Sequence, residues 1–235
     1  MEPYAKKIRM DDIVVHRTTS SPDYQGAQRY ALERLERDLT PSLCYHSLWH
    51  TRDEVALRAR WLAEYEGLSP EVQQLICSAA CFHDIGFMLD SSDHETVSAR
   101  IAAEILPEYG FNPAHISLVQ GMIMATRVPQ RPRNHLEEIL ADADLDVLGR
   151  NDFFSRNLAL RVEMSKAGVT TSDAVWYSKQ LEFMHQHRYF TKTAHRQRYP
   201  MKQHNIHQLR KIISDCCPQA DESATAAIGP RFARL

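Results

Sequence analysis

The chain is short of glycine, with 8 in 235 residues, and contains no Asn-Gly or Asp-Gly pair. Tight β-hairpins are built on such turns, so their absence argues against a meander of antiparallel strands. Long apolar runs are missing too. None approaches the ~18 residues that a bilayer-spanning helix needs. The opening stretch, MEPYAKKIRMDD, has no apolar core of the kind a secretory leader carries. Charge of one sign is also lacking: the net is −2 with neutral histidines, so nothing global points to nucleic acid or an acidic membrane surface. Five cysteines, Cys44, Cys77, Cys81, Cys216 and Cys217, are odd in number, and the first three sit in apolar runs. That pattern fits reduced, mostly buried thiols rather than a disulfide framework, although the vicinal pair 216–217 also allows a redox role. These absences lead to the expectation of a cytoplasmic protein with no membrane association.

What is present is helical periodicity. "AQRYALERLERDL", "HTRDEVALRARWLAEY", "PEVQQLICSAACF", "TVSARIAAEIL" and "PAHISLVQGMIM" each repeat apolar residues every three to four positions. Ser69-Pro70 and Asn112-Pro113 pair a capping side chain with a proline at the first helical position. Ser92 and Glu95 have capping-box spacing, and "TTSDAVWYSKQLEFM" reads as a further capped helix. About nine or ten helices are expected, with "DIVV" at 12–15 as the one plausible strand and "RVPQRPRN" at 127–134 as a loop. The fold class is therefore all-α: an N-terminal arm over 1–24, a compact helical domain over 25–214, and an Ala/Ser-rich tail over 215–235 expected to be poorly ordered.

The chemistry concentrates in histidines, of which there are 12. "YHSLWHT" places His46 and His50 four apart, on one face of a helix one turn apart. "CFHDIGF" puts His83 beside Asp84 in an apolar run, where neither side chain is tolerated without compensation. "DHE" supplies His94 and Glu95. "ADADLDVLG" supplies Asp142, Asp144 and Asp146, and if it is helical Asp142 and Asp144 point about 200° apart and so do different jobs. Two imidazoles with two carboxylates would suit a divalent transition metal. A hydrogen-bonded His–Asp pair in a core is the competing reading.

The order His50, His83-Asp84, Asp144 in a helical chain resembles the H…HD…D pattern of the HD-domain superfamily of metal-dependent phosphohydrolases. "YHSLWHTRDEV", "AACFHDIGF" and "DADLDVLG" are similar to its successive motifs, and the resemblance spans roughly residues 25–150 and more loosely continues to about 210. It implies an HD-type helical bundle with His50, His83, Asp84 and Asp144 as metal ligands. The implied cofactor is one ion or two of Mn, Fe, Co, Ni or Zn, with Mg also allowed. His46 matches the position that protonates the leaving oxygen in the cyclic-nucleotide phosphodiesterase branch; a packing histidine is the alternative. "DHE" resembles the His-Glu pair of two-metal branches, but Gln120 to Ile123 stand where their next histidine would fall. His94 is thus either a ligand, a phosphate contact or an acid. Asp142 and Asp146 take the role of solvated or supporting carboxylates.

From Phe183 to Ser214 there are seven Lys/Arg, five histidines and no acid. This is either a solvated helical face or a positive lip for a phosphorylated substrate; Arg188 and Lys202, together with Arg127, are the candidate substrate contacts. No aromatic stacking platform accompanies the patch, which disfavours nucleic acid. The expected function is metal-dependent hydrolysis of a phosphate ester or anhydride of a small molecule, such as a nucleotide or sugar phosphate, with His46 or His94 as proton donor. An HD-type di-iron oxygenase and a non-catalytic ligand-sensing module are the alternatives. The sole expected partner is the small phosphorylated substrate, with a homo-oligomer left open.

Overall fold

The structure, a computed structural model, describes residues 21–216. The expected arm apart from its last four residues, the strand at 12–15, and the tail beyond Cys216 lie outside the described residues. Among the described residues, nine α-helices run in the order α1 (Tyr24–Asp38), α2 (Leu57–Tyr65), α3 (Pro70–Phe82), α4 (His94–Ile105), α5 (Pro113–Ala125), α6 (His135–Asp144), α7 (Phe153–Lys166), α8 (Asp173–Gln186) and α9 (Lys192–Cys216). No strand occurs among the described residues, and none of their helices is long and apolar enough to cross a membrane.

Several helix starts are set by the residues that signal them. Ser69 and Asn112 accept from the backbone N–H groups of Val72 and His115, each ahead of a proline at the first turn. Ser172 caps α8 and Asn134 caps α6 in the same way. The start of α4 departs from expectation. Its N-cap is Asp93, not Ser92, and no side chain caps it. Asp93 instead receives Arg127 and the Thr96 hydroxyl, while Ser92 turns back to Asp90.

Two apolar cores result. The larger is filled from α1 to α6 by residues such as Leu35, Leu62, Ile76, Phe82, Ile123 and Leu140. The smaller joins Val147, Leu148, Phe153, Met184, Ile206 and Leu209, from a short turn after α6 and from α7, α8 and α9. Buried carboxylates tie the two together. Asp142, fully buried, accepts from the N–H groups of Phe190 and Thr191 and from the Thr191 hydroxyl. Asp146 pairs with Arg58 at 2.6 Å and Arg198 at 2.7 Å. Of the two roles left open for these positions, solvated or supporting, the structure shows the second: the run is apolar because it is interior, and its acids are anchors.

Two local departures position the site. Ahead of α2, residues His50–Ala56 form a π-helical turn, a widened helix of a kind found often at functional sites. After α3, the chain turns at His83 and Asp84 into a 3-10 segment, Ile85–Met88. There the Gly86 N–H donates to Ser98 Oγ on α4 at 2.8 Å, and a Cβ at residue 86 would collide with the His94 carbonyl.

Candidate metal centre

The turn after α3, the π-helical segment, and the C-terminus of α6 bring His50, His83, Asp84 and Asp144 together. His50 and His83 are 2% and 1% exposed. His50 Nε2 lies 3.5 Å from Asp144 Oδ1 and 3.8 Å from Asp84 Oδ2. His83 Nε2 lies 3.2 Å from Asp84 Oδ2 and 3.5 Å from Asp144 Oδ1.

The hydrogen bonds behind these rings decide what faces inward. His83 Nδ1 sits 2.7 Å from the Ala80 carbonyl, which can only accept, so the proton is on Nδ1. His50 Nδ1 sits 3.0 Å from Glu54 Oε2, with the same consequence. Neutral His50 and His83 therefore aim bare Nε2 lone pairs at two carboxylates. His50 Nε2, His83 Nε2 and Asp84 Oδ2 have no hydrogen-bond partner. Four acceptors converging in a buried space repel one another unless positive charge lies between them.

A proton or a divalent ion can supply that charge, and both fit. Burial alone would lower the histidine pKa values, but Asp84 and Asp144 outweigh it for His83 and hold it well above its ordinary range. Contacts with Asp144 and Glu54 do the same for His50. Asp84 is lowered against its own burial by His83, and Asp144 is lowered to about 2 by His50 and His83. For an ion, ligand bonds of ~2.0–2.2 Å separate adjacent donors by about 3.0 Å in octahedral and about 3.5 Å in tetrahedral arrangements. The observed separations of 3.2–3.8 Å lie around the tetrahedral value, and the His50, His83 and Asp144 donors all lie within 4.8 Å of one another.

Around this centre the remaining candidates separate. His46 Nδ1 is 2.5 Å from Glu163 Oε1 on α7, and Glu163 Oε2 accepts from the N–H groups of Tyr45 and His46. With Nδ1 engaged, Nε2 is the free nitrogen of His46, and the residue lines a cleft beside the metal centre. His94 Nε2 lies 3.7 Å from Asp84 Oδ1, the oxygen turned away from His83, and 3.6 Å from Glu95 Oε1. Burial lowers the His94 pKa despite the nearby Asp84. Phe87 stacks on both His46 and His94, with centroids 4.3 and 3.9 Å away.

The three basic candidates stand apart from the cleft lining. Arg127 is engaged with Asp93, Glu95 and Thr96. Arg188 is exposed, over the Phe190 ring. Lys202 is buried and donates to the His187 carbonyl and Nδ1. Other charges of that segment are also engaged: half-buried Arg198 holds Asp146, and Arg196 on the surface reaches the Tyr65 hydroxyl.

Two contributors were not found from sequence. Glu54 fixes the His50 tautomer and is itself held by Arg150 at 2.6 Å and Arg156 at 2.9 Å; its signal was the four-residue spacing from His50. Glu163 lies 117 residues from His46, and no local pattern marks it.

The cleft, ≈ 740 Å³ including its open mouth, runs between the two cores, from His46, Asp84, His94 and Asp144 to Phe153 and Phe183. Among solved structures the chain resembles a predicted HD superfamily hydrolase from an uncultured Thermotogales bacterium. The identity is 19% and the TM-score 0.55, over 83% of this chain and 94% of that one. It also resembles a protein of Lactobacillus plantarum at 16% identity and a TM-score of 0.60, over 83% and 95%. No family model and no curated protein matches the sequence. The chain has the all-helical fold of the HD domain, with a His/Asp cluster compatible with that fold's metal site. At these identities the likeness speaks for the fold alone, and the chemistry rests on the side chains.

Proposed function

We propose that the protein is a metal-dependent phosphohydrolase that cleaves a phosphate ester or anhydride of a small molecule. The observation that carries this reading is the convergence of four acceptors, two of them imidazoles whose tautomers are fixed from behind. Such a set suits a divalent first-row ion such as Mn, Fe, Co, Ni or Zn. His50, His83, Asp84 and Asp144 would hold it, and His94 and Glu95, grouped on the other oxygen of Asp84, would contribute to a second. A divalent ion bound there acidifies water and polarises a phosphoryl oxygen.

This chain's own residues do the rest. Glu54 and the Ala80 carbonyl keep the Nε2 lone pairs of His50 and His83 turned inward. His46 delivers a proton from Nε2 to the leaving oxygen, and Glu163 steadies the imidazolium through Nδ1. His94, whose pKa burial lowers, is the poorer acid at pH 7.

The test is elemental analysis of the purified protein, followed by phosphate release from a panel of nucleotides, sugar phosphates and aryl phosphate monoesters with Mn, Mg, Ni or Co added. Metal-dependent release is expected, and His83→Ala should lose both ion and turnover. Turnover retained in His83→Ala, or oxygen uptake by an iron-loaded protein without phosphate release, would refute the reading.

A further inference from the structure

The cleft lining falls into two chemical sets. One belongs to the candidate metal centre and its neighbours, with Asp84, Asp144, His46 and His94. The other is apolar: Val128, Leu145, Leu148, Phe153, Leu160 and Phe183. Among the described residues, no lysine or arginine lines the cleft. A second phosphate or a carboxylate has no lysine or arginine to pair with there.

One polar pair interrupts the apolar wall, and its orientation is fixed by a chain of hydrogen bonds. Trp176 Nε1 can only donate, and it donates to Asn157 at 2.7 Å, which makes the contacted atom the Asn157 oxygen. Asn157 must then turn its Nδ2 the other way, where it donates to Gln180 Oε1 at 2.6 Å. Gln180 consequently keeps its NH2 group for something else. The residue is 5% exposed and lines the cleft, and no acceptor within the described residues takes its Nε2 protons. Asn157 and Gln180 are buried on α7 and α8, so the donor is held on two packed helices.

We infer that Gln180 Nε2 is a specificity-determining donor, and that the substrate group it meets is uncharged, largely apolar and equipped with a hydrogen-bond acceptor such as a carbonyl. This rests on the phosphohydrolase reading for the reacting group: the substrate class becomes phosphomonoesters of such compounds rather than polyphosphates or polyhydroxylated sugar phosphates. A donor left unpaired against a ligand lacking the acceptor penalises that ligand.

The experiment measures binding without turnover. Calorimetry on the whole chain compares 4-hydroxyacetophenone with 4-ethylphenol, which lacks the carbonyl oxygen. The ratio of their affinities cancels general hydrophobic differences. That ratio is expected to fall about three- to tenfold in Gln180→Leu, the worth of one neutral hydrogen bond. Asn157→Asp gives an independent check. Its second carboxyl oxygen would draw Gln180 Nε2 inward and turn Oε1 into the cleft, so the ratio should fall there also, in a protein that keeps Gln180. An unchanged ratio in both variants overturns the inference, as does tighter binding of ADP than of either phenol to the metal-free wild type. Phosphate release plays no part in this readout. Its absence would count against the hydrolase reading alone, whereas metal-dependent release with an unchanged ratio would sink only the role of Gln180.

Discussion

Replacing Asp142 with alanine tests whether the anchor between α6 and the α8–α9 connection works as its geometry implies. The carboxylate accepts from Phe190 N, Thr191 N and Thr191 Oγ1, each at 2.8 Å. A buried N–H stripped of its acceptor costs about 1–3 kcal/mol, so two set a loss of about 2–6 kcal/mol. Alanine also removes a buried charge. Burial raises the Asp142 pKa from 3.8 to about 6, against the pull of its three donors. The folded state then holds a proton more tightly than the unfolded chain does. Stability from this group falls as pH rises from about 4 to about 6, by about 1.4 kcal/mol per unit at most. At pH 7 the variant regains up to about 3 kcal/mol of that, leaving a net loss centred near ~1 kcal/mol. At pH 4.5 the wild-type carboxyl is largely protonated, the regained part shrinks, and the net loss grows. Urea denaturation of both proteins at the two pH values reads the difference directly. A loss that stays constant or shrinks toward acid pH, or one under about 0.5 kcal/mol at both, would refute the reasoning.

Two further outcomes follow from residues near the cleft. Glu163→Gln should lower kcat about 10- to 100-fold with little change in KM, and the loss should shrink for 4-nitrophenyl phosphate, whose leaving group needs less protonation; an equal loss for all leaving groups would make Glu163 merely structural. Burial, and then the Lys202 ammonium on Nδ1, lower the His187 pKa to about 3. The unfolded chain therefore takes up a proton below pH 6.5 that the fold refuses, and stability falls as pH drops from there toward 3. His187→Gln should flatten that slope by up to about 1.4 kcal/mol per pH unit, measured by denaturation at pH 6.5 and 5; an unchanged slope contradicts the assignment.

Helix positions were legible wherever a cap and a proline coincide, as at Ser69-Pro70 and Asn112-Pro113, because the first turn is settled by local hydrogen bonds. The start of α4 was misread for a physical reason. Ser92 and Glu95 have the right spacing, but the tertiary contact from Arg127 claims Asp93 and Glu95 first. The helical reading of the chain could not reveal the π-helical turn at His50, since its apolar positions suit either pitch. Of the candidate site, the inward-facing His and Asp residues were visible as polar groups in apolar runs. Glu163 and the Trp176–Asn157–Gln180 relay were not, since they meet only when α7 and α8 fold back over the first core. Counting the charges of the basic segment left a solvated face or a lip open, and could not show that Arg198 and Lys202 are used on Asp146 and His187.

The contact at residue 86 has a wider consequence. Main chain meets main chain there, with no flexible group between to take up slack. The gap separating the main chain after 83–84 from the main chain at 94 is therefore set by backbone contact, not by rotamer choice. Repacking either core, or lengthening the loop from 89 to 93, would leave that gauge untouched, so the inner architecture can stay constant while the outer wall drifts to suit different molecules.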